Sequence, residues 1–217
     1  MKRKILSVSI ICVILGITCF AGYQIKMNEK ADLPVFENTS IYPGFSFPDL
    51  VNEATYILNA EVIDVGDSFM KEIPVSLTEN PNEATEILSY PVTPITLKVE
   101  TPIKGNISPN EEYIYYEDGG ITDTCIILPS GYAMEEGYKV ILFLNDDGYC
   151  WGEQSIYPIV GDHVILNETA MAYMQSDFVS TKDVNTINSN IKSQINTQEV
   201  KVVSVDNFIS CIQEASN

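Results

Sequence analysis

Apolar and polar positions alternate most cleanly from Ile95 to Thr101. Ile95, Leu97 and Val99 fall on one side and Thr96, Lys98 and Glu100 on the other, the two-residue period of a half-buried strand. Thr55 to Val65 carries the same signal through Tyr56, Leu58, Ala60 and Val62. Glu112 to Glu117 predicts a tyrosine-rich strand, ending at Asp118-Gly119-Gly120, residues that supply the positive φ angles of tight turns. Cys125 to Leu128 predicts a short strand. Tyr138 to Leu144 predicts a strong one, stopped by Asn145-Asp146-Asp147-Gly148. Tyr149 to Ile159 and His163 to Leu166 predict a hairpin turning at Val160-Gly161-Asp162.

Helical spacing is confined to the flanks. Pro48 to Ala54 predicts a short helix with proline near its first position. Glu199 to Val203 predicts a strand, after which Ser204 caps a helix reaching Ala215 with Phe208, Cys211, Ile212 and Ala215 on its apolar face. Val184, Ile187, Ile191 and Ile195 also recur at helical spacing, in a segment so rich in Asn, Ser and Thr that helix and linker both fit. Gly66 to Pro94 shows neither period. It contains Pro74, Pro81, Pro91 and Pro94, with Glu79, Glu83 and Glu86 in its acidic middle, and predicts a long functional or mobile connection. The expected fold is therefore mainly β: a small closed antiparallel barrel, OB-like, of about six strands with short flanking helices.

The N-terminus changes the picture of address. Lys2-Arg3-Lys4 precedes an uncharged run from Ile5 to Gly22, so residues 1–22 predict a signal peptide or signal anchor that sends the rest outward as a membrane or secreted protein. Three fates stay open: an uncleaved single-pass helix through residues 5–22, cleavage after Ala21, or lipid attachment at Cys19. Residues 23–47, with Pro34, Pro43 and Gly44, predict a stalk, 48–166 the barrel, and 167–217 a C-terminal helical extension.

With 45% hydrophobic and 19% charged residues the chain can bury a core. Its formal charge is −18, and removing Lys2, Arg3 and Lys4, with no acid among residues 1–22, leaves −21 and no arginine. Such a surface repels polyanions and excludes nucleic-acid partners, which require stripes of Lys and Arg. In an oxidising compartment the natural disulfide joins Cys125 to Cys150, leaving Cys211 as a buried thiol.

The order of segments resembles bacterial exported proteins built on an OB-like barrel similar to the netrin and tissue-inhibitor-of-metalloproteinase domain. The resemblance rests on Asn52-Glu53-Ala54-Thr55 leading into Ala60-Glu61-Val62, on Val99-Glu100-Thr101-Pro102-Ile103-Lys104-Gly105, on Gly137-Tyr138-Lys139-Val140-Ile141-Leu142-Phe143-Leu144 and on the hairpin around Gly161. It spans residues 48–166 and implies a fold and a habit of binding macromolecules. It does not imply protease inhibition, because the inhibitors chelate zinc through an N-terminal cysteine and none stands near residue 48.

Candidate chemistry is sparse. His163 is the only histidine and falls in a turn, without the Gly-x-Ser-x-Gly of a serine hydrolase, and no zinc or nucleotide motif is present. Paired acids at Glu111-Glu112, Glu117-Asp118, Glu135-Glu136 and Asp146-Asp147 qualify by type for a carboxylate-dependent hydrolase, but each sits where solvated turns are expected. Asp146-Asp147-Gly148 and Glu117-Asp118-Gly119 offer oxygen ligands for weak calcium binding, without EF-hand spacing. Tyr115 and Tyr116, adjacent on one strand, must face opposite ways, and with Trp151 they form the candidate binding surface. The expected function is a non-enzymatic extracytoplasmic binding module for a protein or glycan, without cofactor or resident metal. The alternatives are a spacer of the cell envelope and the hydrolase.

Overall fold

The computed structural model describes residues 33–38, 41–76, 84–174, 179–181 and 200–216. The hydrophobic segment of residues 1–22 and the helical spacing of Val184 to Ile195 lie outside them. Among the described residues no helix is long and apolar enough to cross a membrane.

The chain is mainly β. Short strands β1 (Val35–Glu37), β6 (Gly120–Ile121) and β7 (Ile126–Leu128) form a three-stranded sheet in the order β1-β7-β6. The nine-stranded main sheet is built from β2 (Tyr56–Val65), β3 (Phe69–Ser76), β4 (Ala84–Lys104), β5 (Glu112–Asp118), β8 (Lys139–Leu144), β9 (Ile156–Val160), β10 (His163–Ile165), β11 (Val179–Thr181) and β12 (Val200–Ser204). It runs β11-β12-β10-β9-β8-β2-β4-β3, with β5 on β4, and every pairing is antiparallel.

This sheet does not close, which corrects the expected six-stranded barrel. One end is β11; towards the other, β5 has a ladder with β4 only. The gap beside β5 is crossed by the β8–β9 loop, whose Gly148 carbonyl accepts from the Tyr116 amide at 2.8 Å. Gly148 allows that approach. Its φ is +80°, and a Cβ there would meet the Ile114 carbonyl at 2.8 Å. Among the described residues this one backbone bond joins β5 to the loop, where a barrel would have a ladder.

Both faces of the central strands are buried, which explains the unbroken apolar run Val140 to Leu144. Val140, Leu142 and Leu144 join Leu58, Ala60, Ile95, Leu97 and Tyr115 in a core on the concave side. Ile141 and Phe143 point the other way, into a second core with Ile57, Tyr157 and Val164. Among the described residues three helices cover that second core: α1 (Phe47–Glu53), α2 (Glu168–Met174) and α3 (Val205–Ala215). Phe47 lies 5.7 Å from Phe208, and Tyr157 lies 4.7 Å from Phe208, between ring centroids. Ser46 caps α1, accepting from the Asp49 amide at 3.3 Å, and Ser204 caps α3, accepting from the Asn207 amide at 3.3 Å.

Two expected boundaries dissolve. The C-terminal stretch contributes more than an extension, since β12 pairs with β10 and α3 seals a core. Nor do residues 33–38 and 41–46 stand off as a stalk: β1 pairs with β7, and Phe45 packs edge-on to Trp151 at 5.7 Å.

The largest departure is at residues 66–94. In place of a loop, β3 and the first part of β4 form a two-stranded ribbon, with Phe69 opposite Val92, Lys71 opposite Tyr90 and Ile73 opposite Leu88. β4 is continuous, pairing with β3 through its first part and with β2 through its last. The break lies on the other strand at Gly66, Asp67 and Ser68, where a Cβ on Gly66 would meet Pro94 Cγ at 2.9 Å. Ala84 to Pro91 have β3 as their only ladder partner among the described residues. Apolar side chains stay open along this ribbon, with Ile87 68% and Leu88 54% exposed.

Candidate functional site

Alternation along β5 sorts its last four residues. Tyr115 is fully buried and points into the concave core, whereas Tyr116 is half-buried on the opposite face. Glu117 and Asp118 follow the same rule, so the adjacent carboxyls diverge. Glu117 is 5% exposed, and its Oε1 accepts from the Met134 amide at 2.9 Å. Burial pushes its carboxyl up to about 8, against the pull of that amide. Asp118 is 8% exposed, and its Oδ2 accepts from the Tyr42 hydroxyl and from Asn38 Nδ2 at 2.7 Å. Its Oδ1 faces the Ser130 amide at 3.4 Å. Burial raises the Asp118 carboxyl above the ordinary carboxylate range, while its bonds to Tyr42 and Ser130 oppose the rise. Burial and the same carboxylate push the Tyr42 phenol up as well.

Asp118 forms part of the wall of a cleft of about 500 Å³ between the ribbon and the body of the domain. The ribbon supplies Ile73, Leu88 and Tyr90; β5 supplies Tyr116 and Asp118; the β8–β9 loop supplies Asn145, Tyr149, Cys150 and Trp151; Tyr42 comes from the segment before α1. The Tyr116 and Tyr149 rings stack at 5.3 Å, and Phe69 meets Tyr116 edge-on at 6.4 Å. Lys71 reaches from the ribbon to Tyr149, donating to its hydroxyl with the ammonium 3.9 Å from the ring centroid. Burial works against the Lys71 charge, but the bond and the nearby Tyr149, Tyr90 and Asp147 together raise its pKa. The loop itself is held by Asn145, whose Oδ1 accepts from the Asp147 and Tyr149 amides at 3.0 and 2.9 Å.

No protein-family model, curated protein or solved structure matches this chain. The site therefore rests on its own geometry.

Of the three residues expected to form the binding surface, Tyr116 and Trp151 line the cleft, and Tyr115 is withdrawn from it into the core. Cys125 and Cys150 are not joined in a disulfide. They belong to different neighbourhoods. The Cys150 sulfur lies 3.4 Å from the Tyr115 hydroxyl, and burial pushes its thiol up to about 12, so it is a poor nucleophile. Cys125 closes the turn begun by Thr122, whose Oγ1 accepts from its amide at 3.0 Å. Tyr42, Tyr90 and Tyr149 complete the cleft without having stood out in the sequence as a group, since folding brings them together from the expected stalk, the expected loop and a strand end.

Glu117 and Asp118 face opposite sides of one strand, while Asp146 and Asp147 are exposed in the Asn145 turn. Among the described residues no group of three or more His, Cys, Asp or Glu side chains is placed to hold a metal ion. His163 is exposed, with Nδ1 2.6 Å from Asp162.

Proposed function

We propose that the chain is a non-enzymatic binding module working outside the cytoplasm, tethered or exported through residues 1–22, with the cleft beneath the ribbon as its binding site. The observation that carries this reading is the cleft itself, about 500 Å³ walled by Tyr42, Tyr90, Tyr116, Tyr149 and Trp151. That size falls within the roughly 300–1,000 Å³ of small-molecule and side-chain pockets, and aromatic walls supply contact area at low entropic cost. The exposed apolar ribbon enlarges the contact area for a macromolecular partner. Glu117 and Asp118 take separate protein partners, the Met134 amide for one and Tyr42, Asn38 and Ser130 for the other, which speaks against their working as the hydrolase's carboxylate pair.

Trp151 is the only tryptophan in the chain and lines the cleft, so its emission reports occupancy. The test is titration of the full chain, purified in mild detergent, with protein and glycan fractions of a bacterial envelope. A saturable change in Trp151 emission, lost in Tyr116→Ala and Tyr149→Ala, is the expected result. Turnover of a glycoside or peptide panel, or emission indifferent to every fraction, would sink the reading. Mass spectrometry of the N-terminus decides between tether, cleavage and lipid attachment.

A further inference from the structure

The walls of the cleft restrict what can occupy it. None of its lining residues is cationic, the Lys71 ammonium beside it is engaged by Tyr149, and a nearly buried carboxylate, Asp118, forms part of the wall, so an anion would meet repulsion there. A neutral polyol needs hydrogen-bond partners for each hydroxyl it buries. Several of those partners are already engaged: the Tyr42 hydroxyl is committed to Asp118, the Tyr149 hydroxyl receives Lys71, and both Asp118 oxygens accept from protein donors, which leaves the Tyr90 and Tyr116 hydroxyls and the Trp151 indole to serve a polyol.

What the walls do offer is negative charge and aromatic faces. A cation already uses one of them, since the Lys71 ammonium sits 3.9 Å from the centroid of Tyr149. Beside it a second recess of about 320 Å³, lined by Phe69, Lys71, Tyr116, Asp147 and Tyr149, shares the Tyr116–Tyr149 pair with the main cleft. The whole chain, at −18, adds a long-range field of the same sign. An alkylated ammonium fits this chemistry best, because it brings charge and apolar bulk and needs no hydrogen-bond acceptor.

We infer that the aromatic cleft beneath the ribbon binds an alkylated ammonium group, with Tyr90, Tyr116, Tyr149 and Trp151 as its walls and Asp118 as its counter-charge. This rests on the reading of the cleft as the binding site. Lys71 is then an internal competitor, holding the Tyr149 face until a ligand takes it. The group can arrive as a free small molecule or as a methylated side chain on a protein.

The test uses the full chain in detergent and Trp151 emission, with choline, a peptide bearing trimethyllysine, the neutral isostere 3,3-dimethylbutan-1-ol and an oligosaccharide as probes. Choline or the peptide is expected to bind at least about tenfold more tightly than the isostere, and whichever is tighter identifies the source. Lys71→Met is expected to tighten binding of the cation about two- to fivefold, opposite to what loss of a merely structural lysine would do. Asp118→Asn is expected to narrow the preference over the isostere, and Tyr149→Leu to abolish it. An isostere that binds as tightly as choline, or an oligosaccharide that binds where choline does not, overturns the inference while leaving a binding module. Failure of both ammonium probes at 0.15 M salt, about the ionic strength at which the Debye length is ~8 Å, also overturns it. The envelope titration then judges the wider reading separately.

Discussion

Replacing Glu117 with glutamine is expected to stabilise the protein at pH 8 and to leave it nearly unchanged below pH 4.5. The native carboxyl titrates near about 8, against 4.5 for an ordinary glutamic acid. Below 4.5 both native and unfolded chains carry the proton, so burial costs nothing extra. Between 4.5 and about 8 the unfolded chain has lost the proton and the native one keeps it. The unfolded state then binds fewer protons, and stability falls with rising pH by about 1.4 kcal/mol per pH unit. Across that window the loss amounts to roughly 4–5 kcal/mol, and above about 8 it levels off. Glutamine resembles the protonated form, keeping an oxygen to accept from the Met134 amide and adding a donor. Urea unfolding followed through Trp151 at half-unit steps from pH 4 to 9, for both proteins, isolates the effect because other groups cancel in the difference. A difference that grows from near zero to several kcal/mol is expected. A difference independent of pH, or a wild type that gains on the variant between pH 5 and 8, would refute a buried, protonated Glu117.

Three further substitutions probe the frame around the site. Gly148→Ala is expected to cost about 1–3 kcal/mol in denaturant unfolding, from the positive φ and the 2.8 Å approach to the Ile114 carbonyl, and to weaken amide-exchange protection at Tyr116. Phe208→Ala should cost about 3–5 kcal/mol, since Phe208 is fully buried against Phe47 and Tyr157; a loss under 1 kcal/mol would mean that α3 does not seal the second core. Ser204→Ala should cost about 1 kcal/mol through the lost cap on α3, most of it recovered by Ser204→Asp, both read by thermal melts.

The elements legible in the sequence are those whose burial is one-sided or whose caps are local. Ile95 to Thr101 alternates because β4 there has one face in the concave core, and α3 was marked by Ser204 together with the spacing of Phe208 and Ile212. The ribbon was hidden for two reasons. Exposed apolar residues on both of its faces erase the alternation, and Pro74 and Pro91 read as breakers. Those prolines are tolerated because, among the described residues, Pro74 and Pro91 each have a ladder on one side only, leaving an edge where no amide is required. The candidate site was half legible. Tyr116 and Trp151 were identified by type, but Tyr42 and Tyr90 lay in stretches that carried no periodic signal. Burial of Glu117 and Asp118 was invisible as well, because a strand end followed by Gly-Gly ordinarily faces water.

The joining of β12 to β10 also bears on the order in which the protein can fold. A chain delivered N-terminus first exposes α1 and the outer face of β8 long before Phe208 and Ile212 emerge to cover them. Until then Phe47, Ile141 and Phe143 lack part of their cover, and contacts so far apart in sequence form slowly. Residues 200–215 complete the second core, so folding to the native state has to wait for them. A premature stop anywhere before residue 200 should yield a sticky, protease-sensitive product rather than a smaller working domain.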